Sequence, residues 1–169
     1  MSVEQLKEDV SKWILEWVSV YNEQLEQVPC PYAKAALLDG KINWMVASNI
    51  DELRGMLKAL PLSDLKDEVL IIGLNRKAIS VIELTSTVHL HNELTLMPHN
   101  IVALEDHPDD EEFIDGVKMN QGTWALVLIQ RLDKINKASK ILEAQGYYKH
   151  WSQEELDDVV TWRFKKEKE

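Results

Sequence analysis

Residues 41–74, KINWMVASNIDELRGMLKALPLSDLKDEVLIIGL, decide the fold. Lys41 to Ala47 reads as a strand. Asn49, with Glu52 three residues on, makes the start pattern of a helix that must stop before Pro61. Glu68 to Leu74 is a nearly continuous apolar run, the mark of a strand buried on both faces. Strand, helix and strand at this spacing imply a right-handed parallel crossover.

Upstream, Ser2 and Gln5 suggest a capping box. Apolar residues at helical spacing (Leu6, Val10, Trp13, Ile14, Trp17, Val18, Tyr21) predict a helix to about Gln27, stopped by Val28-Pro29. Pro31 suits a first helical position, which makes Cys30 the N-cap of a short helix ending near Asp39-Gly40.

Downstream, Asn75 is expected to cap a helix over 76–96. The β-branched segments AISVIEL and TVHLHNEL leave a hairpin as the alternative, but no Gly or Pro interrupts them. Asn100 to Glu105 supplies a third strand. Pro108 then starts another short helix, capped by Asp106 or His107, with the acids 109–112 in its first turn and Gly116 closing it. Thr123 is expected to cap a long helix to about Gln145; a strand at WALVLI followed by a helix competes with it. Ser152 and Glu155 form a capping box for the last helix, and residues 163–169 read as a charged, frayed end. The expectation is one α+β domain over 1–169. It has a small, mostly parallel three-stranded sheet covered by helices and a helical C-terminal third.

Composition narrows the function. A 169-residue chain with 45% hydrophobic residues and six tryptophans has enough apolar area for a core, so disorder of the whole chain is excluded. A net charge of −10 argues against general nucleic-acid binding, which needs clustered cations. The single cysteine excludes an internal disulfide. No apolar run approaches the length of a membrane span, and no leader pattern opens the chain, so a cytoplasmic protein is expected.

Cys30-Pro31-Tyr32-Ala33, then Asp106-His107-Pro108-Asp109, then Asn120 and Leu128-Ile129-Gln130-Arg131 resemble a bacterial family without an established activity, marked by an N-terminal Cys-Pro-Phe-Ala motif and a later Phe-His-Pro. Tyr32 stands where that family has Phe, and Asp106 where it has an aromatic residue. Asn120-Gln121-Gly122 is shorter than the family's Asn-Arg-rich loop. The resemblance spans roughly residues 10 to 140 in outline. It implies a similar architecture and carries no mechanism.

Three chemical expectations follow. The first joins Cys30 as thiolate, His107 as base and Arg131 as anion clamp, with Tyr32, Lys34 and Asn120 contacting a small anionic ligand. A helix N-terminus lowers a thiol pKa, and a partly buried arginine needs an anionic partner. The structural alternatives are a buried small residue, a backbone-bonded helix cap and an internal ion pair, respectively. The second is a divalent metal on His89, Glu93, His107 and Asp109, since His89 and Glu93 share a helix face; exposed histidines explain the pattern more cheaply. The third is a non-catalytic adaptor for a protein partner. Between Glu105 and Asp115 there are seven acids and no Lys or Arg, beside abundant aromatic surface; a solvated helix start is its plain alternative.

Overall fold

The computed structural model describes residues 1–62, 65 and 69–164. The predicted strand start at Glu68 and tail residues 165–169 lie outside the described residues. Helix α1 (Val3–Trp13) runs on as a π-helical segment, Ile14–Val18, and α2 spans Ala33–Leu38. Strand β1 (Ile42–Val46), α3 (Ile50–Ala59) and β2 (Val69–Leu74) follow, with β1 and β2 parallel as expected. Next come α4 (Val81–His91), a π segment Asn92–Leu96 and β3 (Ile101–Asp106). A hairpin of β4 (Phe113–Ile114) and β5 (Val117–Lys118) leads to β6 (Ala125–Arg131), α5 (Leu132–Ala144) and α6 (Gln153–Val159).

The main sheet has four strands in the order β1-β2-β6-β3, with β6 antiparallel to both neighbours. This corrects the three-stranded, mostly parallel expectation. Residues 125–131 form a strand rather than the start of a helix. Ala125, Val127 and Ile129 are fully buried on one face, while Leu126 packs on the other. A two-sided apolar run suits the centre of a sheet. The predicted helix survives only from Leu132 onward. There Asn100, in the left-handed region at φ 60°, accepts the Asp133 N–H through its side chain at 2.9 Å.

Two further boundaries move. The first helix ends near Val18 rather than Gln27, because Asn22 turns the chain by accepting the N–H groups of Gln24 and Leu25. The expected helix over 76–96 begins at Ser80, where a complete capping box with Glu83 forms; Asn75 instead makes a local turn to Lys77. It is a helix and not a hairpin.

The faces of the sheet build different cores. Leu53 and Leu57 of α3, with Leu84, Val88 and Leu96, cover Leu70, Ile72, Leu74, Ala103 and Val127. On the opposite face, Leu6, Val10 and Ile14 of α1 and its extension cover Ile71 and Leu126. Gly73 on β2 makes that contact close, since a Cβ there would sit 2.4 Å from a methyl carbon of Leu6. Asp9 anchors the same helix by accepting the Trp124 indole N–H at 2.9 Å.

Strand β3 is an edge strand, and its outer side is sealed by a side chain. Buried Asn92 donates to the Ala103 carbonyl and accepts the Ala103 N–H, each at 2.8 Å, as a neighbouring strand would. Asn92 closes α4 with its own N–H still bonded to the Val88 carbonyl, and the helix widens to π from this residue on. Asn92→Ala leaves both backbone groups buried and unpaired. It should lower stability by about 2–4 kcal/mol, seen as a reduced urea midpoint at unchanged slope.

Candidate functional site

The acidic stretch after β3 is not a helix. His107-Pro108-Asp109-Asp110 forms a turn closed by the Asp110 N–H on the His107 carbonyl at 2.9 Å, and the chain then runs extended into the β4–β5 hairpin. Asp115 and Gly116, at φ 48° and 76°, make the hairpin turn. Asp-Gly is the strongest short hairpin signal, and here it outweighs the prolyl helix start.

His107 is a structural histidine. It is 2% exposed, its Nε2 lies 3.0 Å from the Ile79 carbonyl, and its Nδ1 accepts the Asp109 N–H at 3.1 Å. Those partners fix the neutral Nε2–H tautomer and leave no lone pair for a base. It pins the end of β3 to the turn before α4. There Arg76 pairs with Asp109 beside an open hollow of about 430 Å³.

The thiol, the imidazole and the guanidinium expected to cooperate do not meet. Cys30 packs with Trp13, Trp17 and Leu37 on the α1 face of the sheet, whereas the Ile79 that His107 grips belongs to the opposite core. Arg131 pairs in register with Ile101, at the other end of β3 from His107. Six strand residues put roughly 20 Å between them. Arg131 closes an ion pair with Asp133, using Nε at 3.1 Å and Nη2 at 2.9 Å. It is the last residue of β6, not a helical one.

Cys30 is not the N-cap itself: α2 starts at Ala33 after a Pro31-Tyr32 turn. Burial pushes its thiol pKa up, and the backbone N–H groups of Tyr32 and Ala33 only partly oppose this. The expected helix-start effect is present, and desolvation outweighs it. Tyr147 lies over the same corner, its hydroxyl donating to the Val28 and Pro29 carbonyls at 2.9 and 2.5 Å. Tyr32 and Lys34 are exposed on the rim.

The metal expectation is not met either. His89 faces Glu105 at 3.5 Å, Glu93 is exposed on the π segment, and His107 with Asp109 belongs to the turn just described. Among the described residues, no group of three His, Cys, Asp or Glu side chains gathers as a metal would require.

What the fold does assemble is an acidic groove. The β4–β5 hairpin packs near α6, and between them lies a hollow of about 290 Å³. Its lining includes Glu111, Glu112, Glu154, Glu155 and Asp158, with Phe113, Ile114 and Val159 as apolar wall. Among the described residues, no Lys or Arg lines it. Phe113 is 50% exposed. Glu155 is occupied in the capping box with Ser152, which leaves the other carboxylates facing one another.

Burial first, then repulsion from Asp106, Asp110, Glu105 and Asp158, raises the Glu112 carboxyl pKa to about 7. Burial also pushes up Asp106 and Glu105. Behind them stands Asn120, 5% exposed, donating to Asp106 Oδ1 at 2.9 Å while its own Oδ1 has no partner. Lys118 approaches from the hairpin, and its ammonium donates to the Pro108 carbonyl at 3.1 Å. The carboxylates of the groove were visible in the sequence only in part. Glu111 and Glu112 belong to the acidic run, but the contribution of α6 depends on the tertiary fold.

Comparison with protein-family models, with curated proteins and with solved structures finds no match to this chain. Among the described residues, no helix is long and apolar enough to cross a membrane.

Two measurements follow from these environments. Glu112 has a folded pKa above its ordinary 4.5, so ionising it penalises the folded state. Stability should therefore fall as pH rises from about 4.5 to 7, by roughly 1–2 kcal/mol once solvent screening is allowed for. Glu112→Gln should flatten that slope, leaving the contributions of Glu105 and Asp106 in the same direction and that of His91, whose pKa burial lowers, in the opposite one. For Cys30, the rate of alkylation against pH should show a midpoint above the ordinary value near 8.5, and unfolding in urea should restore normal reactivity.

Proposed function

We propose that the protein is a non-catalytic binding module that takes a basic protein partner on the groove between the β4–β5 hairpin and α6. One observation carries this reading. Glu112 sits half-buried among four further acids, and among the described residues no lysine or arginine lines the groove to compensate them. Carboxylates held this close repel one another, and a protein keeps such repulsion where a cation from outside relieves it.

The chemistry of the groove selects the partner. Its carboxylates attract an ammonium or guanidinium, and the exposed Phe113 ring gives that cation an aromatic face and its alkyl stem an apolar one. A guanidinium on a folded or extended partner satisfies both. The chain as a whole, at −10 net charge, adds long-range attraction that speeds encounter with a basic surface. The thiol-dependent reading has less support, because the groups it needs lie on different faces and at opposite ends of the sheet. The likeness to the Cys-Pro-Phe-Ala family brings no reaction that would change this balance.

The test is a calorimetric titration with a short arginine-containing peptide and its glutamate counterpart. The arginine peptide should bind with an affinity that weakens with salt and also weakens below pH 7, where Glu112 takes up a proton. Glu112→Gln with Asp158→Asn should raise the Kd by about tenfold or more, equivalent to about 1.4 kcal/mol. Glu4→Gln with Glu8→Gln, the same charge change on α1, should have little effect. An equal loss in both double variants would mean attraction to net charge alone and would end the proposal.

A further inference from the structure

Arg163 lies immediately after α6, in the turn Thr161–Arg163, and is only 2% exposed. This corrects the expectation of a frayed end from residue 163. Its Nε donates to the Val160 carbonyl at 3.3 Å and its Nη2 to Ser139 Oγ at 2.9 Å; Nη1 is buried with no partner. No carboxylate among the described residues pairs with it: the charge it feels comes from the Tyr148 hydroxyl, and burial pulls its pKa down. A guanidinium stays protonated in proteins, and arginine is almost never buried without an anion. Both known partners are neutral.

The surroundings are rich in donors. Ser139, on the inner face of α5, is 5% exposed. The Tyr148 hydroxyl lies beside Ser139 and within electrostatic reach of Arg163. The Trp151 ring packs edge-on against Tyr148 at 5.1 Å, and the Trp151 Nε1–H is a second buried donor without an acceptor. Lys140, next to Ser139, holds its ammonium 5.1 Å from the ring of Phe164, the residue following Arg163. A water molecule could satisfy one N–H, yet it would leave the charge uncompensated.

We infer that Arg163, with Ser139 and Tyr148, forms a seat for a small oxyanion such as a phosphate or a carboxylate, which completes the buried guanidinium's coordination. The seat is separate from the acidic groove and opposite in charge to it, so neither proposal depends on the other. A fork of N–H donors with flanking hydroxyls matches the oxygens of either anion. Access requires the turn after α6 to open: α6 itself contributes no buried residue, and the anchors to displace are Val160, Trp162 and Arg163 in the single 3-10 turn and its cap.

The experiment is thermal unfolding of the full chain at pH 7 in sodium phosphate, sodium acetate and sodium chloride of equal ionic strength. Phosphate also stabilises proteins by exclusion from their surface, so the comparison is with Arg163→Met. The wild-type chain should show a saturable rise in midpoint with phosphate or acetate that chloride does not give; whichever acts names the preferred anion. Arg163→Met should lose that rise and, in chloride, unfold no earlier than the wild type. The Arg163 Nε–H resonance should move with the same half-saturation. Equal rises in the two proteins, no rise beyond chloride, or an Arg163→Met chain that fails to fold would each overturn the assignment. The last outcome would make the guanidinium a self-sufficient strut.

Discussion

Strand β6 is the constraint on which the structure depends. It runs antiparallel between β2 and β3, joining the βαβ unit at one side of the sheet to the strand that carries the acidic turn on the other. Without it, β2 and β3 would have no common neighbour and the two apolar faces would not close. Its side chains serve both cores at once, with Val127 and Ile129 toward α3 and α4 and Leu126 toward α1. The strand is continuous with α5: Arg131 ends one and caps the other. The position of Ser139 is thereby set by the sheet.

Placing β6 inside the sheet makes β3 an edge, and an open edge invites pairing with another chain. The Asn92 amide meets that requirement because it presents one donor and one acceptor at the spacing of a peptide group. Helix α4 delivers it in regular register, with the Asn92 N–H still on the Val88 carbonyl, and the helix widens to π only from there on. The edge of the sheet is thus protected by the residue that ends the regular helix.

The parts legible in the sequence were those fixed by local chemistry. The Asn49 cap, the Ser152–Glu155 box and the strand-helix-strand unit over 42–74 follow from capping side chains and apolar runs, and the structure has them. The misread parts were those that long-range pairing decides. WALVLIQRL satisfies helical spacing as well as strand burial, and only its place between β2 and β3 selects the strand. In DHPDDEEFIDG the proline suggested a helix start, whereas the Asp115-Gly116 turn and its pairing partner selected the hairpin. Cys30 and Arg131 were singled out for plausible chemistry, but the sheet that separates them is a tertiary fact. The acidic character of the site was legible. Its second wall was not, because α6 lies some 40 residues away in sequence.

Charge is distributed in a way that bears on specificity. The half-buried acids gather where β3 ends and α6 begins its packing, while the buried cation follows directly at the end of α6. Arg163 is not the counterion of the groove: none of the acids that raise Glu112 pairs with it, and among the described residues Tyr148 is the group that acts on its charge. The acid wall includes α6 residues from Glu154 to Asp158, and Arg163 follows in the next turn without pairing with them. Desolvated charge of either sign is costly, and an external partner for each charge, as proposed, would lower that cost. Because the acids line α6 along its length and the buried cation follows in the next turn, the two proposed partners would share one short segment of the chain.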